Sequence, residues 1–322
     1  MTQSFLTRRM MMTLMASAVT APAISAPAVA ATPQVIATTG MIADAAARLT
    51  GLPVPSLMGP GMDPHGYRQT RSDIAKLARA DLVLWHGLYL EAQMEEFLLH
   101  LARNRPVVAV AEALPKGQLR GNEDYANRFD PHVWMDPALW ALVVDEIARA
   151  ISTTLPGLAS QVASALPAYQ AEIAALDRYS REVLASVPSE ARLLVSAHDA
   201  FGYFGRAYGF EVQGIQGLST NSEAGLSRIA ELVDLLVTRR VPAVFVETSV
   251  SDRAVRALIE GAAAKGHSLR IGGTLYSDAM GPEGSYEGTW LGMIDANVTT
   301  IARALGGQAP EAGRIGQLDR AA

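Results

Sequence analysis

Cysteine is absent from all 322 residues. The chain therefore has no disulfide framework and no thiolate to offer a metal. It also lacks the cysteine on which a bacterial lipid anchor is built. After residue 30 no apolar run approaches the roughly 20 residues needed to span a bilayer. Histidine is scarce, with six in all. Removing Arg8 and Arg9, the only charges before residue 31, leaves 25 basic against 32 acidic residues, a net charge of −7. A modestly acidic chain without a basic stripe is a poor nucleic-acid binder, so no nucleic-acid partner is expected.

The first 30 residues, "MTQSFLTRRMMMTLMASAVTAPAISAPAVA", open with an arginine pair, continue apolar and end in small residues. This is the pattern of a cleaved export signal and predicts a periplasmic protein. The arginine pair fits either twin-arginine or Sec export. A short membrane anchor is disfavoured by Pro22, Pro27 and the alanine-rich end.

The remaining 292 residues suffice for roughly two domains. From 31 to 156, short β-type runs alternate with amphipathic helical ones. Strands are expected at 34–40, 81–87 and 106–113, a strand and turn at 54–61, and helices at 41–51, 72–80 (capped by Ser72) and 90–103. Residues 114–131 are polar and glycine-bearing, a loop, and 137–155 is helical. Residues 157–188 contain no strand signal and read as one long helix, kinked or restarted at Pro167. The alternation resumes over 189–306, and residues 307–322 read as a loose tail. The expected fold is α/β, two lobes with mostly parallel sheets joined by a long linker helix.

One motif is written twice. "MDPHGY" spans 62–67 and "FDPHVWMDP" spans 129–137. Proline fixes its own φ and biases the residue before it away from the helical region, so His65 and His132 are each held on a stiff turn. Open α/β sheets bind ligands beyond the carboxyl ends of their strands. His198 closes "RLLVSAH" and Asp278 closes "LRIGGTLYSD". Each lobe thus offers two ligands, His65 with His132 and His198 with Asp278. Three imidazoles and a carboxylate suit a divalent first-row ion. Taken singly, each histidine is better read as a surface or capping residue, and joint placement is what lifts these four. His86, His100 and His267 have no such placement. Asp63 and Asp130 are expected to bond the backbone of their own turns. Glu247 is either a hydrogen-bond acceptor near the site or a ligand.

The segments "MGPGMDPHGYRQTRSDIAKLARADLVLWHGLYLE", "FDPHVWMDPALW", "SAHDAFGYFGRAYGF" and "GGTLYSDAMGPEGSYEGTWLGMI" resemble the motifs of the cluster A-I solute-binding proteins of manganese and zinc ABC transporters. The resemblance covers the whole chain after the signal, in order. It implies a rigid linker helix, a metal site in the interlobe cleft, and His65, His132, His198 and Asp278 at the four ligand positions. Some manganese-binding members have Glu at the third position, where this chain has His198. Many zinc-specific members carry a His-rich loop before the second motif, and the loop here contains no His. The implied function is a periplasmic receptor that binds Zn²⁺ or Mn²⁺ as transported ligand and delivers it to an inner-membrane ABC permease, working as a monomer and not as an enzyme. Two alternatives remain at this point. A metal-dependent hydrolase usually keeps a position for water, which Asp278 would close, and "HExxH" is absent. An adhesin-like surface protein would be expected to show adhesive repeats or a wall anchor, and the sequence has neither.

Overall fold

The computed structural model describes residues 32–121 and 127–318; the expected export signal lies outside them. The first lobe contains β1 (Val35–Ala37), α1 (Gly40–Thr50), α2 (Arg71–Leu77), β2 (Leu82–Trp85), α3 (Glu95–Leu101) and β3 (Val107–Ala109). Its strands pair in parallel in the order β1-β2-β3. Next come α4 (Pro137–Thr154) and α5 (Ala159–Ala185). The second lobe contains β4 (Leu193–His198), α6 (Gly202–Tyr208), β5 (Glu211–Gln216), α7 (Leu226–Thr238), β6 (Ala243–Glu247), α8 (Arg253–Ala264), β7 (Arg270–Leu275) and α9 (Trp290–Ala304). Here β4 pairs with β5 and β6 with β7, both in parallel, and β4 lies beside β6.

β1, β2, β4 and β6 are rich in apolar residues because both of their faces are covered, whereas β5 and β7 are partly exposed. Val35, Ala37, Leu82 and Leu84 point into a large core, while Ile36, Val83 and Trp85 point into a smaller cluster with Leu77 and Leu98. In the second lobe Leu194 joins the large core, whereas Leu193 and Val195 pack with Leu232, Leu236 and Leu258. The large core is therefore common to both lobes. Trp140 of α4 stacks on Trp290 of α9 with ring centroids 5.6 Å apart. The Trp290 backbone N–H donates to Asp44 of α1 at 3.0 Å, so the last helix is bonded to the first.

The 27-residue α5 packs on α1 and α4 from one lobe and on α9 from the other. At 1.5 Å per residue it is about 40 Å long. Pro167 lies inside it, and the helix continues through that position. Val162 and Tyr169, buried on either side of the proline, hold it against the core.

Several boundaries depart from the sequence reading. The cap of α2 is Thr70, not Ser72: Thr70 and Asp73 form a reciprocal capping box. Residues 54–61 form only one bridge, Ala37 to Ser56, because Pro53, Pro55 and Pro60 remove donors from the ladder. The helix expected from 90 starts at Glu95. Before it, the buried Glu91 carboxylate accepts from the backbone of His86 at 2.8 Å and Gly87 at 3.2 Å, winding the chain into a turn. The tail through Leu318 is not loose. The Arg314 N–H donates to both oxygens of the buried Asp295, at 3.0 and 2.9 Å.

A core shared across α5 resists hinge bending. Small-angle scattering profiles recorded with and without Zn²⁺ are expected to superimpose. A clear compaction on adding the ion would contradict a stiff linkage.

Candidate metal centre

The repeated Asp-Pro-His turns are the same local device. The Asp63 carboxylate accepts from the His65 N–H at 2.8 Å, and the Asp130 carboxylate accepts from the His132 N–H at 2.9 Å. Each aspartate folds the chain back across its proline and presents the imidazole two residues on. The turns differ in what else the carboxylate does. Asp130 also receives the His132 Nδ1–H at 2.8 Å. Asp63 instead receives the Thr220 hydroxyl from the other lobe at 2.5 Å.

His198 is the last residue of β4 and Glu247 the last of β6. One Glu247 oxygen accepts the His198 backbone N–H at 2.9 Å, and the other accepts its Nδ1–H at 2.5 Å. Glu247 thus stands behind the ring. Asp278 lies in the loop after β7. That loop is held on one side by Asn297, which pairs with the Tyr276 backbone at 2.9 and 2.7 Å. On the other side the Trp134 indole N–H donates to the Ser277 carbonyl at 2.8 Å.

His65, His132, His198 and Asp278 each offer one donor atom, and all four atoms lie within 4.8 Å of one another. The Nε2 atoms of His65 and His132 are 3.3 Å apart. Asp278 oxygens lie 3.4 Å from His132 Nε2, 3.2 Å from His198 Nε2 and 3.9 Å from His65 Nε2. Donors around one ion at about 2.0–2.1 Å in tetrahedral geometry would stand about 3.3 Å apart. The His198 Nε2 and both Asp278 oxygens are buried without a hydrogen-bond partner. Buried polar atoms are normally paired, so these donors are suited to an ion.

Electrostatics separates the three imidazoles. Burial pushes His65 down to about 3, which keeps it neutral. Burial also opposes charge on His132, but Asp130 and Asp278 prevail and hold it up at about 9. At His198 burial is likewise outweighed, by Asp278 and Glu247, and its pKa rises well above the ordinary value. Asp278 resists burial through His198, His132 and His65 and stays well below the usual carboxylate range.

The other histidines stand apart. His86 is buried with its Nε2 2.7 Å from the Pro131 carbonyl, under the second turn, and burial lowers it to about 3. His100 is exposed on α3. His267 Nε2 lies 2.7 Å from the Val241 carbonyl. Sequence reasoning missed Trp134, Asn297 and the contact of Arg120 Nε with Asp130 at 3.3 Å. The doubled motif signalled Asp130 as a turn residue, but nothing near it in sequence showed that it also orients the His132 ring.

Two α/β lobes around a buried three-histidine, one-aspartate cage define a metal-binding solute receptor of the two-lobed periplasmic type. Residues 35–304 match the family described as "ZnuA: Zinc-uptake complex component A periplasmic", and the chain belongs to it. It is 48% identical over 274 residues to the manganese-binding lipoprotein MntA of Bacillus subtilis, covering 84% of this chain and 89% of the relative. It is 45% identical to the zinc-binding protein TroA of Treponema pallidum over 275 residues, 85% of this chain and 89% of TroA. The solved periplasmic TroA superimposes with a TM-score of 0.82, covering 85% of this chain and 99% of that one. The Fe(III)-bound YtgA of Chlamydia trachomatis superimposes at 0.77 with 26% identity, over 86% and 99% of the two chains.

Histidine NMR on metal-free protein tests the electrostatic division. The His132 ring is expected to keep its proton through neutrality and lose it near pH 9, while His65 shows no titration between pH 5 and 8. A His65 midpoint near 6.5 would mean that its ring is not shielded from water.

Proposed function

We propose that this chain is the receptor of an ABC-type importer for a divalent transition-metal ion, and that His65, His132, His198 and Asp278 are its ligands. The carrying observation is the convergence of four buried donor groups, two of which, His198 Nε2 and the Asp278 carboxylate, have no hydrogen-bond partner. Family membership supports the transport role, since relatives include metal ABC transporter substrate-binding lipoproteins. Among the described residues no helix is long and apolar enough to cross a membrane. Export to the periplasm through the signal at residues 1–30, action as a monomer, and a division into lobes 31–156 and 189–306 around the linker 157–188 complete the reading.

The cargo is Zn²⁺ or Mn²⁺. The relatives are named for manganese, zinc and iron, so the donor set must decide. Three imidazoles and one carboxylate close a four-coordinate shell that zinc accepts readily. For a given nitrogen and oxygen site the affinity order places manganese below zinc. Zinc therefore binds more tightly at equilibrium, whichever ion the importer carries in the cell. Competition against a chelator of known affinity checks this, and tighter manganese would show that a larger coordination shell forms.

Alanine at any of the four ligand positions removes a direct bond and is expected to weaken Zn²⁺ binding by more than about 100-fold. Asp130→Asn and Glu247→Gln, which only unseat a ring, should cost about 10–100-fold. His100→Ala and His267→Ala leave affinity unchanged. Titration calorimetry on the set distinguishes these classes, and normal affinity in any ligand variant removes that residue from the site.

The raised His132 sets a direction with pH. Below about 9 its ring carries a proton that the ion must displace. Affinity is thus expected to fall about tenfold per pH unit for each proton displaced as pH drops through neutrality. A pH-independent affinity between 6 and 8 would mean that no ligand proton is lost on binding.

A further inference from the structure

The cage is buried, yet its cargo must enter and leave. The side chains of His132, His198 and Asp278 are wholly shielded, and only the His65 side chain, at 4% exposure, is reached by solvent. Two cavities approach the site. The larger, about 520 Å³, borders Asp278 together with Ser56, Met58 and Gly59, but the Asp278 carboxylate is closed off from solvent. The smaller, about 40 Å³, is bordered by His65, Tyr89, Gln93, Leu218, Ser219 and Asn221. It holds about one water, whose share of liquid volume is about 30 Å³, and is too small for a hydrated divalent ion.

The wall of that small opening is the segment 218–221 between β5 and α7, and it is fastened to the His65 turn across the lobes. The Thr220 hydroxyl donates to Asp63 Oδ2 at 2.5 Å, and the Asn221 amide donates to the His65 carbonyl at 3.4 Å. Neither bond involves a donor atom of the cage.

We propose that the opening over His65 is the portal through which a divalent ion enters and leaves, and that Thr220 and Asn221 latch it. This rests on the metal-receptor reading above. Since the latch bonds join Asp63 and the His65 backbone, releasing them leaves the four donors in place. Loading and loss are then accelerated together, and affinity is nearly unchanged. A net hydrogen bond corresponds to about a three- to tenfold change in rate.

Stopped-flow loading of Zn²⁺ and its loss to a fluorescent chelator test this in the full chain. Thr220→Val is expected to speed both rates by that factor with an unchanged Kd. Ser219→Trp, which fills the small opening, slows both, again with an unchanged Kd. Gly59→Phe places bulk in the larger cavity, where a side chain meets nothing within 4 Å at its first carbon, and leaves both rates alone. Slowing by Gly59→Phe but not by Ser219→Trp overturns the portal in favour of the Asp278 side. A Thr220→Val variant that weakens Kd in step with faster loss overturns the latch, since Thr220 then merely stabilises the loaded cage. Wild-type protein that takes up no Zn²⁺ overturns the receptor reading and the portal with it. Tight wild-type binding with rates indifferent to residues 219 and 220 overturns the portal alone.

Discussion

A carboxylate on the far nitrogen of an imidazole is the interaction on which this site depends. Asp130 holds Nδ1 of His132 at 2.8 Å and Glu247 holds Nδ1 of His198 at 2.5 Å. Each bond fixes the tautomer when the ring is neutral, so that the lone pair sits on Nε2 and faces the cage. Each carboxylate also takes the backbone N–H of the same histidine, so ring and main chain are fixed by one group. Rotation about the side-chain bonds is removed before any ion arrives, and less ordering is left to oppose binding.

This arrangement concentrates charge where burial penalises it. Asp130, Glu247 and Asp278 formally bring three negative charges into a shielded volume. Arg120 stands 3.3 Å from Asp130 and answers one of them. A divalent ion among neutral imidazoles would answer the other two. Without the ion, protons on His132 and His198 take its place, which is why these two rings are pulled up while His65, facing no carboxylate of its own, is driven down. Buried ionic groups contribute little net stability, so the cluster is better explained by binding than by folding. The shared core and α5 supply the stability instead.

Legibility in the sequence followed distance along the chain. The doubled Asp-Pro-His turn is local chemistry, and it gave two of the four converging side chains. The strand-end reading reached His198, which does end β4, and Asp278, which lies beyond the end of β7 at Leu275, in the loop that follows it. The buttresses were not readable in this way. Glu247 meets His198 across 49 residues, only because β6 lies beside β4, and Trp134 meets Ser277 across 143. Asp295 sits in the middle of an apolar helix with no outward sign that it anchors the segment before Leu318. Prolines misled over 54–61, where a run with strand composition cannot build a ladder. At α2 a nearer serine hid the threonine that satisfies the capping box.

The two lobes contribute unequally to holding the cage together. His132 is coupled to Asp278 through Trp134, whose indole N–H reaches the Ser277 carbonyl, while the Trp134 carbonyl accepts from the Trp290 indole at 3.1 Å. The two bonds branch from Trp134, one to the loop that bears Asp278 and one to α9, and both are buried. His65 has no comparable tie. Its links to the second lobe are the hydroxyl of Thr220 and the amide of Asn221, side chains on a loop, one half-buried and one exposed. Three of the four converging side chains are therefore tied into buried hydrogen-bond networks, and the fourth sits on a turn fastened by bonds that water can replace. Buried hydrogen bonds are thus concentrated behind His132, His198 and Asp278, while the turn that bears His65 meets the second lobe through side chains closer to solvent, and this is the side on which the proposed portal lies.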